Sequence, residues 1–323
     1  MHCNTTSLPA PAMELRIEHL AKTYPNGVHA LNDVTLTIPR GMFGLLGPNG
    51  AGKSSLMRIL ATLQQPDTGR ITLGAPAAGP GRVIDVLGEP DRVRQTLGYL
   101  PQEFGLHPRA SAEELLTHFA ILKGITGRRE RRETVERLLR QVNLWEVRRQ
   151  RLGGYSGGMR QRFGVAVALL GDPTLLIVDE PTAGLDPAER FRFLNLLSEL
   201  GEQAVVILST HIVEDVVELC TRMAIIDRGR ILLEAEPLRA IDDLRGRVWR
   251  SVVDRGALPG VERAHAVIST KPLAGRTVVR VFAGASPGAG FQPAEPDLED
   301  VYFCTLAGRI GTMAGAPALV GAA

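Results

Sequence analysis

The chain has 323 residues, of which 44% are hydrophobic and 22% are charged. That length predicts about two domains, and the composition excludes a disordered chain, a collagen-like chain and a coiled-coil rod. The 37 basic and 35 acidic residues leave a net charge of +2, so charge gives no indication of a nucleic-acid partner. A membrane-spanning helix needs about 20 consecutive apolar residues, and the longest apolar run of this chain is far shorter.

The N-terminal third predicts strands, a glycine-rich turn and a helix, in that order. Alternating apolar residues over 14–38 predict an antiparallel ribbon with a Pro-Asn-Gly turn. The apolar run 42–46 predicts a buried strand that leads into the glycine-rich turn, and helical spacing follows over 54–63. A segment rich in Pro and Gly, from about 75 to 92, is expected to be a surface insertion.

The middle of the chain predicts a helical part followed by a parallel sheet. Ser111 and Glu114 have the spacing of a capping box, and residues 111–144 show helical periodicity. The continuous apolar runs 175–178 and 204–208 are typical of strands that are covered on both faces. Helical segments alternate with these strands, which predicts an α/β fold.

A phosphate-binding loop is predicted directly after the strand at 42–46. The sequence GPNGAGKS at 47–54 fits the pattern G-x-x-x-x-G-K-[ST]. Its glycines let successive backbone N–H groups converge on phosphate oxygens, and the following helix adds the positive end of its dipole. Lys53 would contact the β- and γ-phosphates, and Ser54 would offer its hydroxyl to Mg²⁺. The implied ligand is a nucleoside triphosphate.

Two carboxylates, Asp179 and Glu180, follow the apolar strand at 175–178. Ligands of α/β proteins bind at the carboxyl edge of the parallel sheet, so both side chains are expected beside the phosphate loop. Asp179 is placed to hold Mg²⁺, directly or through water. Glu180 is the better candidate to polarise the water that attacks the γ-phosphate.

Ser156, Gly157 and Gly158 open a predicted helix between these two motifs. Ser156 is a typical N-cap, and the two glycines permit another group to approach the backbone closely. Because Ser-Gly-Gly suits any helix start, this motif is not specific by itself.

Together, the order of these motifs resembles that of the nucleotide-binding subunit of an ATP-binding cassette (ABC) transporter, over roughly residues 13–238. GPNGAGKSS resembles the Walker A loop, YSGGM the signature, and LLIVDE the Walker B strand. The signature departs from the family pattern at Tyr155, where leucine is usual, and at Met159, where glutamine is usual. Further matches are Leu100-Pro101-Gln102 to the Q-loop, Ala183-Gly184-Leu185-Asp186 to the D-loop, Ser209-Thr210-His211 to the switch histidine and Tyr24 to the adenine-stacking aromatic.

The resemblance implies a role for each matched residue. Gln102 would sense Mg²⁺ and the membrane partner, and His211 would contact the γ-phosphate and hold Glu180 and water in place. Ser156 and the two glycines after it would bind the γ-phosphate of ATP held by a second subunit, which predicts a head-to-tail dimer. The implied catalytic residues are Glu180, His211 and Gln102, and the implied metal ligands are Ser54, Gln102 and Asp179. The implied nucleotide-binding residues are Tyr24, Gly47, Pro48, Asn49, Gly50, Ala51, Gly52, Lys53, Ser54, Ser55, Ser156, Gly157, Gly158 and Asp186.

The implied fold is an α/β P-loop NTPase of the ABC type, with a mixed sheet core, an antiparallel β subdomain and a helical subdomain. After about residue 241 the sequence changes to β-rich segments separated by Gly and Pro, which predicts a small α+β C-terminal domain. LEDVYF, before the tail, resembles the motif that closes this domain in exporter-type (ABC-2) ATPases, and favours export. The expected division is a disordered tail at 1–12, the ATP-binding domain at 13–240 with its helical subdomain at about 103–160, the C-terminal domain at 241–303 and a tail at 304–323.

The expected function is that of an ATP-hydrolysing subunit that powers a separate transmembrane permease from the cytoplasmic face of the membrane. The expected partners are that permease and a second ATP-binding subunit, in a homodimer. A soluble ABC ATPase acting on nucleic acid or ribosomes is the alternative, although the sequence has no long coiled coil, zinc-binding cysteine pattern or second cassette. A regulator with an inactive nucleotide site is disfavoured, because Lys53, Asp179, Glu180 and His211 are all present.

Overall fold

The structure, a computed structural model, describes residues 13–75, 83–102, 105–182, 185–201 and 204–310. The predicted N-terminal tail at 1–12 lies outside the described residues. So do 76–82 of the expected insertion, Ala183 and Gly184 of the predicted D-loop, and 311–323 of the predicted C-terminal tail.

The first sheet is antiparallel, and the described residues contribute four strands to it. They are β1 (Glu14–Thr23), β2 (His29–Pro39), β4 (Thr68–Gly74) and β5 (Val83–Asp85), in the order β2-β1-β4-β5. Leu15 and Ile17 of β1 pair with Ile38 and Leu36 of β2, and all four side chains are buried. Because apolar residues occupy every second position, one face of the sheet is apolar and packs against the core. The predicted antiparallel ribbon is confirmed.

The central sheet is mixed, and six of its strands lie in the described ranges. These are β3 (Gly41–Leu46), β6 (Leu97–Leu100), β7 (Leu175–Asp179), β8 (Val205–Thr210), β9 (Arg222–Asp227) and β10 (Arg230–Ala235), in the order β10-β9-β3-β8-β7-β6. β10 is antiparallel to β9, and the other neighbours are parallel. Every residue of β7 and β8 is buried, as expected of strands covered on both faces. The segments after β3, β7 and β8 leave the sheet at one edge.

Helices flank this central sheet. In the part of the chain that the structure describes, they include α1 (Lys53–Leu60), α2 (Pro90–Thr96), α6 (Pro187–Gly201) and α7 (Val213–Leu219). Leu56 and Ile59 of α1 are buried with the strands, as their helical spacing predicts. The helix ends before the predicted residue 63, because Thr62 has a φ of +59°, outside the helical region.

The expectation of a surface insertion at 75–92 is partly wrong. Residues 83–85 form β5, which pairs with β4, and Val86 is 1% exposed. The chain then enters α2 at Pro90, whose fixed φ suits the first turn of a helix. Pro and Gly residues indicated a loop, but strand pairing and burial incorporate this part of the segment into the fold.

A helical part follows β6 and contains α3 (Ala112–Leu122), α4 (Arg128–Gln141) and α5 (Gly157–Ala168). The Ser111 hydroxyl accepts a hydrogen bond from the N–H of Glu114 at 3.2 Å, and the Glu114 carboxylate accepts one from the N–H of Ser111 at 2.9 Å. The predicted capping box at the start of α3 is therefore confirmed. Phe163 of α5 lies in one buried apolar cluster with Leu138 and Leu139 of α4.

The C-terminal part combines one small antiparallel sheet with helices. In the described residues its elements are α8 (Pro237–Asp242), β11 (Val248–Val253), α9 (Leu258–Ala264), β12 (Val267–Leu273), β13 (Arg276–Phe282), β14 (Gln292–Pro293) and α10 (Leu298–Leu306), with the strand order β12-β13-β11-β14. Val279 and Val281 of β13 are fully buried. The predicted α+β character of this part is confirmed.

Helix α10 extends past residue 303, where the C-terminal tail is expected to begin. Cys304 is 0% exposed, and the Thr305 hydroxyl donates a hydrogen bond to the carbonyl of Val301 at 2.7 Å. Cys304 and Val301 pack in the same apolar cluster as Met223 of β9. Burial against the part that contains the central sheet therefore extends the helix to Leu306.

None of the helices in the described ranges combines the length and the apolar character that crossing a bilayer requires.

Replacing Phe163 with Ala is expected to lower the free energy of unfolding by about 3–5 kcal/mol, because the large ring is 0% exposed and its loss leaves a cavity. Urea denaturation of the nucleotide-free protein measures this change. Phe191→Ala is the matched control, because Phe191 is 64% exposed and its truncation is expected to cost less than about 0.5 kcal/mol. Equal losses in the two variants would contradict the assignment of the core.

Candidate active site

The glycine-rich loop 47–52 connects β3 to α1 at the carboxyl edge of the central sheet. Gly50 has a φ of +82° and Gly52 a φ of +108°, angles that residues with a Cβ rarely adopt. A Cβ added at Gly47 would lie 2.4 Å from the carbonyl oxygen of Ile226. Backbone geometry and close packing together explain the glycines of the predicted phosphate loop.

Gly52→Ala is expected to weaken ATP binding by at least about tenfold, or about 1.4 kcal/mol. The added Cβ would lie 2.3 Å from the carbonyl oxygen of Ala30, so the loop must move away from the conformation that converges its N–H groups. Titration with a fluorescent ATP analogue measures the affinity. Gly256→Ala is the control, because a Cβ there meets no atom within 4 Å, and unchanged affinity in Gly52→Ala would contradict the prediction.

Lys53 is the first residue of α1, and its ammonium group points back into the loop. Its Nζ donates hydrogen bonds to the carbonyl oxygens of Gly47 at 2.6 Å and Pro48 at 3.2 Å. The residue is 5% exposed. Burial lowers the pKa of Lys53, and the carboxylates of Glu180 and Asp179 oppose this shift. A buried cation that faces backbone carbonyls is poorly compensated, so an anionic ligand in the loop would stabilise it.

Asp179 and Glu180 follow one another at the end of β7, but their environments differ. Asp179 is 5% exposed, and its Oδ1 is buried with no hydrogen-bond partner among the described residues. Burial raises the pKa of this carboxyl group above its usual value. Glu180 has a φ of +48° and donates its N–H to the carbonyl of Ser209 at 2.8 Å, which turns its side chain out of the sheet.

Three segments that are distant in sequence meet at the Glu180 carboxylate. The Gln102 amide Nε2 donates a hydrogen bond to Oε2 of Glu180 at 3.3 Å. The ring Nδ1 of His211 lies 3.3 Å from the same oxygen. The end of β6, the end of β7 and the end of β8 thus bring the three predicted catalytic residues together.

Tyr24 lies just after β1, at the side of the glycine-rich loop. Its hydroxyl lies 3.0 Å from Oγ of Ser55 and 3.2 Å from Oε1 of Gln64. The hydrogen bond with Ser55 lowers the pKa of Tyr24, although burial opposes the shift. These contacts fix the ring beside the loop.

One cleft contains most of the predicted site. Both the glycine-rich loop and the three predicted catalytic residues border it, together with two residues that the sequence analysis missed, Val28 and Ala30. These two belong to the antiparallel ribbon, where no motif distinguishes them, and only the packing of β2 beside the loop places them here. The residues lining the cleft are Tyr24, Val28, Ala30, Pro48, Asn49, Gly50, Ala51, Gly52, Lys53, Ser54, Ser55, Gln102, Glu180 and His211.

The predicted signature residues do not line this cleft. Ser156 caps α5, as predicted, by accepting a hydrogen bond from the N–H of Met159 at 3.1 Å. Gly158 lies under the side chain of Glu189, whose Oε2 would be 1.7 Å from a Cβ at this glycine. Asp186 caps α6, since its Oδ1 accepts a hydrogen bond from the N–H of Glu189 at 2.8 Å. Within one chain, these predicted nucleotide-binding residues are therefore separate from the glycine-rich loop.

Tyr155, the departure from leucine in the signature, has a structural explanation. It is 3% exposed and lies in the apolar cluster of the helical part. Its hydroxyl donates a hydrogen bond to the carbonyl of Val147 at 3.0 Å. A tyrosine satisfies the same core position as an apolar side chain, because its one polar atom has a partner.

Comparison with known proteins identifies the family of this chain. The family model described as "ABC transporter" matches residues 31–183. The ABC transporter ATP-binding protein YxlF of Bacillus subtilis (strain 168) is 38% identical over 223 residues, which cover 69% of this chain and 70% of YxlF. Nod factor export ATP-binding protein I of Rhizobium sp. (strain N33) is 33% identical over an alignment of 296 residues, and the match covers 86% of this chain and 92% of that protein. These matches favour a transporter subunit over an ABC ATPase that acts on nucleic acid.

A solved structure extends the comparison to the fold and the reaction. The ATP-binding cassette MJ0796, in a dimeric post-hydrolysis state bound to ADP and Pi, superimposes with a TM-score of 0.61 at 26% sequence identity. The match covers 69% of this chain and 98% of MJ0796. The chain therefore belongs to the ABC transporter family, with the fold of an ABC-type P-loop NTPase, and is an ATP-binding, ATP-hydrolysing subunit.

Proposed function

We propose that this ATPase energises export by a separate transmembrane permease, from the cytoplasmic face of the membrane and as a homodimer. The observation that carries the catalytic part is the meeting of Gln102 and His211 on one carboxylate oxygen of Glu180. Export is supported by the match to a relative named for Nod factor export, which extends over 86% of this chain and so includes its C-terminal part.

We assign the triphosphate to the glycine-rich loop. Backbone N–H groups of 47–52 and the amino end of α1 supply a positive potential for the phosphates. The buried ammonium group of Lys53 would exchange its carbonyl partners for phosphate oxygens, because a cation binds charged oxygens more strongly than neutral ones. Ser54 and Ser55 continue this site, and Tyr24 offers its ring to the base.

Mg²⁺ fits the residues beside this loop. The Oδ1 atom of Asp179 is buried and lacks a partner among the described residues, so a bound cation would satisfy it. Together with the hydroxyl of Ser54 and the amide oxygen of Gln102, it forms the oxygen-donor set that Mg²⁺ prefers. When bound, the ion neutralises charge that develops on the phosphate oxygens.

Glu180 is the proposed general base. Gln102 donates a hydrogen bond to Oε2, and Nδ1 of His211 lies 3.3 Å from the same oxygen, so Oε1 can accept the proton of the attacking water. The side chain of His211 is 51% exposed, so it can also contact a bound γ-phosphate. Catalysis in this arrangement is positioning of water combined with electrostatic stabilisation.

The signature residues require a second subunit. Ser156, Gly157 and Gly158 lie at the amino end of α5 and do not border the cleft of their own chain. A helix amino end is a suitable site for a phosphate, so we place it against the ATP of a second copy in a head-to-tail dimer with two-fold symmetry. Asp186, in the proposed D-loop, would lie at the same interface. The dimeric state of MJ0796 supports this arrangement.

Co-expression with a candidate transmembrane permease from the same genome tests the proposal. We expect the two to co-purify from membranes, and we expect ATP hydrolysis by the reconstituted pair to drive loss of substrate from the cytoplasmic side. Hydrolysis without any permease association, combined with stimulation by ribosomes or nucleic acid, would overturn the transport role.

A further inference from the structure

The carboxylate of Asp215 is buried close in sequence to His211 of the proposed active site, and no motif of the sequence indicates it. Asp215 of α7 is 0% exposed. The Thr182 hydroxyl donates a hydrogen bond to its Oδ2 at 2.6 Å, and Nε of Arg190 donates one to its Oδ1 at 2.8 Å. Each oxygen of the carboxylate therefore has its own donor.

The three members of this cluster come from three segments of the site. Thr182 is two residues after Glu180, Asp215 is four residues after His211, and Arg190 is in the first turns of α6, just after Asp186. Thr182, Arg190 and His211 border one shared depression on the surface. The carboxylate of Asp215 thus joins the chain after β7, the chain after β8 and the beginning of α6.

Burial makes these links strong. A carboxylate that is removed from water is stable only while it is paired, and loss of a partner leaves an uncompensated charge. Thr182 is itself 3% exposed, so water does not replace its hydroxyl as a donor. The segments that carry Glu180, His211 and Asp186 therefore cannot separate without breaking a buried interaction.

We propose that Asp215 is a positioning residue, which holds Glu180 and His211 at their 3.3 Å separation through Thr182 and fixes the start of α6 through Arg190. It acts through these residues and does not contact the nucleotide. This inference rests on the roles proposed above for Glu180 and His211. It adds that the cluster sets the rate of hydrolysis without setting the affinity for ATP.

Thr182→Val tests the link to Glu180, because it removes the hydroxyl and keeps the branched shape and the Arg190–Asp215 pair. We expect kcat for ATP hydrolysis by the full chain to fall about tenfold, with KM and the affinity for a fluorescent ATP analogue unchanged within twofold. Thr182→Ser restores the donor, so we expect kcat to return to within about threefold of the unmodified chain.

Thr305→Val is the matched control, because it removes another buried hydroxyl, which is hydrogen-bonded to Val301 in α10 and does not line the cleft. We expect it to leave kcat unchanged. Unchanged kcat in Thr182→Val, or an equal loss in Thr305→Val, would overturn the positioning role. So would a Thr182→Ser variant that hydrolyses ATP no faster than Thr182→Val.

Arg190→Lys provides a second test if Thr182→Val does not fold. Lysine keeps the positive charge but not the planar group that reaches Asp215, so we expect a severalfold lower kcat with unchanged ATP affinity. A normal kcat in this variant would overturn the proposal. Glu180→Gln distinguishes failure of the proposed function from failure of this inference. Retained hydrolysis in Glu180→Gln would contradict the proposed function. Loss of hydrolysis in Glu180→Gln, together with normal kcat in the Thr182 and Arg190 variants, would contradict only the positioning role of Asp215.

Discussion

Glu180→Gln is expected to lower kcat for ATP hydrolysis by at least about a hundredfold, the contribution typical of a general base. The amide has nearly the shape of the carboxylate, so the positions of Gln102 and His211 around it should change little. The glutamine amide, however, cannot accept a proton from the attacking water. Release of inorganic phosphate from a purified chain at saturating ATP measures the loss.

The same substitution is expected to preserve ATP binding and to favour the dimer. Removing a negative charge beside the γ-phosphate lowers repulsion with bound ATP, and ATP that is not hydrolysed keeps both subunits bound. Size-exclusion chromatography with ATP should therefore show a stable dimer in Glu180→Gln. Glu262→Gln is the control, because Glu262 is exposed on α9 and outside the cleft. Near-normal hydrolysis in Glu180→Gln would contradict the role assigned to Glu180.

Lys53→Ala is expected to weaken ATP binding by at least about thirtyfold, which is about 2 kcal/mol, the size of a lost hydrogen bond to a charged group. The ammonium group is the buried cation at the phosphate loop, with Nζ 2.6 Å from the carbonyl of Gly47. Titration with a fluorescent ATP analogue measures the affinity.

Lys123→Ala is the matched control for Lys53→Ala. Its Nζ also donates to two backbone carbonyls, those of Arg94 at 2.8 Å and Leu97 at 2.6 Å, and burial also lowers its pKa. Lys123 lies outside the cleft. We expect Lys123→Ala to leave ATP affinity unchanged, so equal losses in the two variants would show that the effect of Lys53 is structural rather than a contact with phosphate.

Local features of this chain could be predicted because local chemistry determines them. The strand before the glycine-rich loop, the helix after it and the capping box at Ser111 all depend on residues within a few positions of one another. The glycine at 52 is a requirement of backbone geometry, since its φ is +108°. The end of α1, the segment around β5 and the end of α10 were predicted inaccurately. The φ of Thr62 ends α1, strand pairing overrides the loop preference of Pro and Gly at β5, and burial of Cys304 extends α10.

The sequence by itself therefore determined the phosphate loop, the acidic pair at the end of a buried strand and the α/β character of the fold. The tertiary structure decided which distant side chains meet. Gln102 and Glu180 are 78 residues apart in sequence, but Nε2 of Gln102 lies 3.3 Å from Oε2 of Glu180. Thr182 and Asp215 are 33 residues apart and share a buried hydrogen bond. Such pairs leave no periodic pattern in a single sequence, because strand order and packing set their distance. That is why the proposed catalytic motifs were visible in the sequence, whereas the role of the buried Asp215 carboxylate was not.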